Sequence, residues 1–437
     1  MLKLAFVLIG PDAFRSRWYM LAVTGVVVIA LGALLAIDVM HTLALIAYGV
    51  LGLIFIGAGL AAFLVAGDAS GQRFALLRGG GLVLTGGLIL AALFQNDWHL
   101  ALLFALAFAL DGSIRLASAL IFRFPGWRFI AVCGLGELVL TTLLLTDWPL
   151  PHGQNVPFCV GLFIVLSGWL LLRFGLLLRT LEDEVAILML PVFAGRGWYD
   201  HAPVLIGEEP ARRGDEAPLI VHVWTPAASA NARQRRPIID RYLIAVGSDG
   251  NLSTGHASLE MPPNLYISHY PAVEHAVGVT ALHAGAANNI PGRFLTSYAE
   301  EVADWCPADA HVVFHNFSAR RLSAFWIGYR QDATYNLANR NCSIVVAAAL
   351  DAALEGALAR RTPWLRLIRL LLNPDMWAAT MIRSRAMSMT WTPGLVLDYA
   401  RVLARIVDQR DLSWSQRFTD FLARLRAGDD NIGVLPS

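Results

Sequence analysis

The groups with the most chemistry in reach are a cysteine at a helix start and a histidine on a strand. Cys342 stands in Asn341-Cys342-Ser343, ahead of the helix-forming run Ile344–Leu358, where backbone N–H groups and the helix dipole favour the thiolate. Upstream, Gly255-His256-Ala257-Ser258-Leu259-Glu260 and Leu265-Tyr266-Ile267-Ser268-His269-Tyr270 read as strands joined by Met261-Pro262-Pro263-Asn264, a turn signal. A four-residue loop there sets Glu260 opposite Leu265 and His256 opposite His269, with Cβ atoms about 5 Å apart. Cys342 as nucleophile, His256 as base and His269 as orienting group make the minimum apparatus for acyl transfer. Ser268 and Glu260 are the alternatives for the third position. The expected route is a thioester on Cys342, with His256 acting first as base and then as acid.

Other groupings carry less. Eight of the eleven histidines follow residue 180, and His311 and His315 are four apart, but the intervening Val312-Val313-Phe314 reads as a strand. On a strand that spacing does not converge two ligands, so neither a metal nor another cofactor is expected. Cys133, Cys159, Cys306 and Cys342 contain no close pair, which argues against a disulfide framework or a zinc spacing and for a reducing compartment. Cys306, in Trp305-Cys306-Pro307, reads as a structural thiol. A net charge of +1, from 34 basic and 33 acidic residues, leaves no basic field for a nucleic-acid partner.

The elements that must position this chemistry fall into two halves. Of the 437 residues, 56% are hydrophobic and 15% charged, against roughly 25% charged in a soluble domain. Residues 1–180 hold only 10 basic and 7 acidic residues. Apolar runs near 18–37, 42–66, 74–95, 99–122, 127–146 and 157–178 each approach the ~20 residues that cross a bilayer, which predicts six transmembrane helices. Gly25, Gly80 and Gly136 on odd runs, and Gly57, Gly112 and Gly168 on even ones, recur every 55 or 56 residues. That interval reads as three hairpin repeats whose small residues let helices approach. Lys3, Arg15, Arg17, Arg73, Arg78, Arg123, Arg128 and Arg179 share one side, which predicts cytoplasmic termini. The opposite turns pair Asp38 with His41, Asp97 with His99 and Asp147 with His152. Asp111, Arg115 and Glu137 lie inside the apolar runs, where ionisable groups need partners; they are expected to pair as one network.

The six-run pattern, its repeat interval and its glycines resemble the HdeD family of bacterial inner-membrane proteins over residues 15–180. That resemblance implies a role in acid and other stress resistance and no enzymatic activity. Gly255-His256-Ala257-Ser258-Leu259, Tyr266-Ile267-Ser268 with Pro271, and Asn341-Cys342-Ser343, in that order, resemble the circularly permuted NlpC-type branch of the papain-like fold, which includes the lecithin:retinol-type acyltransferases. This second resemblance covers about residues 237–358. It implies His256 as general base and Cys342 as nucleophile.

The expected fold is therefore an all-α membrane domain of six helices (1–180), then a connector with an edge strand at Leu219–Trp224 (181–236), an α+β papain-like domain with an antiparallel sheet (237–358) and a helical, Arg/Trp-rich extension (359–437). The expected function is a cytoplasmic thiol hydrolase or acyltransferase anchored in the inner membrane. Its partners are the lipid bilayer and a peptide, protein or lipid substrate, with association between copies compatible. A non-catalytic scaffold or stress sensor is the main alternative, and a transporter the third.

Overall fold

The structure is a computed structural model that describes, apart from short gaps, residues 1–37, 97–180, 217–226, 252–273, 286–359 and 362–408, with scattered helical residues between 49 and 91 and the pair 245–246. It is mostly helical. The N-terminal part comprises α1 (Leu2–Ile9), α2 (Asp12–Arg15), α3 (Trp18–Ala36), α4 (Asp97–Phe122), α5 (Trp127–Thr146) and α6 (His152–Thr180). The sheet-bearing part follows with β1 (Leu219–Trp224), β2 (Ala245–Val246), β3 (Leu252–Ser253), β4 (His256–Met261), β5 (Leu265–Ile267), β6 (His269–Pro271) and β7 (Ile290–Phe294). Next come α7 (Tyr298–Asp304), β8 (Ala310–Phe314), α8 (Ala319–Tyr329), β9 (Thr334–Tyr335) and α9 (Cys342–Ala353). The last described elements are α10 (Pro363–Leu371), α11 (Pro374–Ser388) and α12 (Pro393–Val407).

Four helices, α3, α4, α5 and α6, are long and apolar enough to cross a membrane. The runs expected at 42–66 and 74–95 fall largely outside the described residues, as do the side chains of the turn residues Asp38, His41, Asp97, His99, Asp147 and His152 and the helix expected over Ser413–Arg426. Glycine contacts set the packing. A Cβ on Gly25 would lie 2.5 Å from Leu172 N, and one on Gly168 would lie 2.8 Å from Gly25 O. Gly32 and Gly161 repeat the approach between α3 and α6, Gly112 and Gly134 make it between α4 and α5, and Gly52 meets Gly86. Among the described residues these contacts join α3 to α6 and α4 to α5. Only part of the periodic glycine set takes part: Gly57, Gly80 and Gly136 face open space, because a 55-residue interval fixes depth along a helix but not the face presented.

The main sheet is antiparallel, in the order β5-β4-β1-β8. Leu219–Trp224 was expected at an edge, yet β1 lies inside, pairing β4 through Val221↔Leu259 and β8 through Val221↔Val312. Its residues are nearly all buried, as suits a strand with neighbours on both sides. The strand expected over 265–270 breaks at Ser268, so that β6 joins a second sheet with β7 and β9. Behind the main sheet lies α9, every residue of which is buried. The same core takes in α1 and the adjoining ends of α3 and α6 through Leu21, Phe174 and Leu178. Gly356 N and Leu358 N donate to Val7 O and Leu8 O at 2.9 and 2.8 Å, so α1 is bound into the sheet-bearing part. The sheet therefore sits at the arginine-bearing end of the apolar helices.

Candidate thiol site

Each of the two central groups is the first residue of its element: His256 opens β4 and Cys342 opens α9. The chain enters β4 through Gly255 at φ +69°, where a Cβ would lie 2.3 Å from Trp224 O. Asn341 caps α9, its Oδ1 accepting from Ile344 N at 2.8 Å. The N–H groups of Cys342 and Ser343 have no partner inside the helix and point out of its start, where they can meet a developing oxyanion.

The His256 Nε2 atom lies 2.9 Å from Glu301 Oε1 and 3.0 Å from Ser268 Oγ. Its ring stacks on Tyr270 with centroids 4.0 Å apart and an interplanar angle of 17°. The Cys342 sulfur lies near enough to this ring and to the Ala257 N–H for both to act on its ionisation. Burial alone would lower the imidazole, but the Cys342 sulfur and Glu301 reverse it and lift His256 to about 9. Burial likewise opposes thiolate formation at Cys342, and the charge and hydrogen bond of His256, with the Ala257 N–H, outweigh it and hold the thiol below its ordinary value. Both shifts favour a thiolate–imidazolium pair, with the carboxylate of Glu301 on the ring's Nε2.

Glu301, on α7, takes the third position. Its Oε1 accepts from Tyr270 Oη at 2.7 Å and Ser268 Oγ at 3.3 Å, and its Oε2 accepts from Tyr266 Oη. Burial would raise it, yet the hydrogen bonds from His256, Tyr266 and Tyr270 keep it below the usual carboxylate range. The sequence reading passed over this segment, although Ser297 with Glu300 three residues on is a capping-box start, and Ser297 Oγ accepts from Glu300 N at 3.1 Å.

His269 is placed elsewhere. Its Nδ1 lies 3.1 Å from Tyr329 Oη and its Nε2 3.3 Å from Ala333 O. Burial, helped by Arg340, pushes it down to about 4, so it is a neutral structural group. The reason is register. Met261 still pairs with Leu265, and Glu260 with Tyr266, one residue away from the expected alignment, and such a slip turns every following side chain to the other face. Continued, this register brings Tyr270 to His256, where the two rings stack. Glu260 instead meets His222, with Nε2 to Oε2 at 3.0 Å. His222 Nδ1 is 2.8 Å from His311 Nδ1, and among the described residues no three His, Cys, Asp or Glu side chains gather in a way that holds a metal.

Within the apolar helices, Arg115 pairs with Asp111 one turn away and with Glu137 of α5 at 3.2 Å. A fourth member comes from α11: Arg385 reaches Asp111. With two acids and two arginines the cluster is formally neutral. It flanks the Gly112 and Gly134 contact, where α4 and α5 come closest.

No protein-family model, curated protein or solved structure matches this chain.

Glu301→Gln tests the orienting role. A raised His256 contributes stability in full below its ordinary value near 6.5, and that contribution is lost as pH rises through about 9. A depressed Glu301 contributes above the ordinary carboxylate value near 4.5 and loses it as pH falls through its lowered value. The glutamine variant is expected to lose stability at neutral pH, to begin its alkaline decline somewhat below 9, since Cys342 still supplies the larger part of the lift, and to lack the acid-side decline belonging to Glu301. Denaturant midpoints measured from pH 3 to 10 check all three.

Proposed function

We propose that this chain is a membrane-anchored thiol hydrolase or acyltransferase. Six spans in three HdeD-like hairpins form the anchor, and a permuted papain-like domain on the cytoplasmic face of a bacterial inner membrane carries Cys342, His256 and Glu301. The single observation behind this reading is the 2.9 Å pairing of buried His256 with Glu301, in the same buried cluster as Cys342 at the head of α9, whose thiol His256 holds below its ordinary value. In the proposed cycle the Cys342 thiolate attacks a carbonyl carbon, and the first-turn N–H groups hold the oxyanion. Collapse of the tetrahedral intermediate breaks the bond to the leaving group, which takes the proton from His256, and leaves a thioester. Neutral His256 then accepts a proton from water or an acceptor alcohol or amine as that nucleophile attacks the thioester, and the thiolate departs as the imidazolium forms again. Glu301 keeps the ring oriented throughout.

A thiol-directed activity probe applied to the full chain in detergent is expected to label the wild type at Cys342 and to leave Cys342→Ser and His256→Ala unlabelled at that residue's peptide. Equal labelling of wild type and His256→Ala at neutral pH would favour a non-catalytic scaffold. A stress-resistance role rests on the HdeD resemblance, and growth at low pH with a strain carrying Cys342→Ser separates a catalytic contribution from that of the anchor alone.

A further inference from the structure

Several charges lie outside the thiol chemistry yet connect to it. Arg383 of α11 pairs with Asp351 of α9 at 2.9 Å. Asp351 sits nine residues beyond Cys342 on the nucleophile's own helix, and its other oxygen accepts from Tyr399 Oη of α12 at 2.6 Å. Two residues past Arg383, Arg385 reaches the opposite way to Asp111, the midpoint of the apolar stretch Ala101–Ile121. At the front of α11, the Trp377 ring meets Phe55 with centroids 5.4 Å apart. Past its end, Thr390 Oγ1 and Trp391 O accept from Asn341 Nδ2 at 3.2 and 3.1 Å, and Asn341 is the residue that caps α9 beside the thiol. One fifteen-residue helix is thus pinned to the middle of an apolar helix on one side, and on the other to the last turn and the cap of the helix that carries Cys342.

We propose that Asp111 and Arg385 are positioning residues for the thiol site: their ion pair sets the place of α11, and through Arg383–Asp351 and the Asn341 cap the arrangement of the apolar helices controls the reactivity of Cys342. This rests on the thiol chemistry proposed above. Asp111 holds Arg115 on its own helix as well, and breaking its link to Arg385 costs most among apolar helices, where water is scarce, so a shift of α4 against α5 carries α11 with it. The Asn341 cap is the first thing α11 moves, since the chain between Arg385 and Thr390 is only a few residues long.

The test is the rate of Cys342 alkylation by iodoacetamide from pH 5 to 9, read by mass spectrometry on its own peptide, for the full chain in lipid nanodiscs. Asp111→Asn and Arg385→Gln are each expected to slow labelling by about 3- to 10-fold, the range given by ordinary coupling energies, and to move the pH midpoint upward. Arg385→Lys and Asp111→Glu, which keep the charges, are expected to retain most of the rate. These two variants also serve where a single loss prevents folding. Wild-type rate and midpoint in the charge-removing variants would overturn the proposal, as would labelling as slow in both charge-keeping variants as in the charge-removing ones. If His256→Ala leaves the wild-type profile unmoved, the thiol reading itself fails; a profile that responds to His256 but not to Asp111 or Arg385 sinks only the coupling.

Discussion

His256→Ala is expected to slow alkylation of Cys342 several-fold at pH 6.5, net of two opposing effects. The variant loses the charge and hydrogen bond that depress the thiol, while the burial that raises it remains. With burial still raising it, the variant's thiol sits at or above its ordinary value of about 8.5 and is at most about 1% ionised at pH 6.5. A more basic thiolate is intrinsically more nucleophilic, with a Brønsted slope of about 0.4–0.5, which restores part of the rate. Because that slope is below one, a net deficit remains at pH 6.5 and shrinks as pH rises through the variant's thiol value. Stopped-flow or timed-quench labelling across that range gives the curve. A flat ratio between variant and wild type at all pH values would mean that the imidazole acts on access to sulfur and not on its ionisation.

Gly168→Leu is expected to dismantle the apolar bundle, whereas Gly136→Leu is expected to leave it intact. Both glycines belong to the same periodic set. A Cβ at 168 would meet Gly25 O and Ile29 N at 2.8 Å, backbone atoms that cannot move aside, while a Cβ at 136 meets nothing within 4 Å. Overpacking against side chains costs about 1–3 kcal/mol, and a clash with backbone over an antiparallel helix pair exceeds that, since the helices must separate and give up the dispersion contacts that hold membrane helices together. Thermal unfolding in detergent, followed by the loss of monodisperse protein, should show a large downward shift for the first variant and little for the second. Similar behaviour of the two would assign the glycines to composition and not to packing.

The apolar helices were legible because length and hydropathy suffice for them: α3 and α5 fall within a residue of the expected runs. Cap chemistry was legible for the same local reason. Ser318 opens α8 by accepting from Arg321 N at 3.0 Å, Pro363 and Pro393 each stand at the first turn of a helix, and Asn341-Cys342 starts α9. What escaped depends on distant chain. One residue of loop length decided whether His269 or Tyr270 faced His256, and no local preference settles that count. The inner place of β1 required knowing that β8 pairs with it. Glu301 was missed because its partners come from β4, β5 and β6, although the capping box beside it marked its helix. Arg385 carries no motif at all; only the fold reveals that a C-terminal arginine belongs with Asp111.

The pairing of the first apolar helix with the last bears on how the chain is made. Gly25 and Gly168 are 143 residues apart, a stretch that a ribosome adding about 5–20 residues per second takes roughly 7–30 s to extend. During that interval the small-residue seam of α3 lies uncovered in the nascent protein, exposed to whatever other segments the membrane holds. Closure must wait for α6 to emerge, and the burial of α1 against Gly356 and Leu358 waits longer still. Biogenesis of this protein is thus expected to proceed from the outside inward, with its N-terminal segment among the last pieces to find a permanent home.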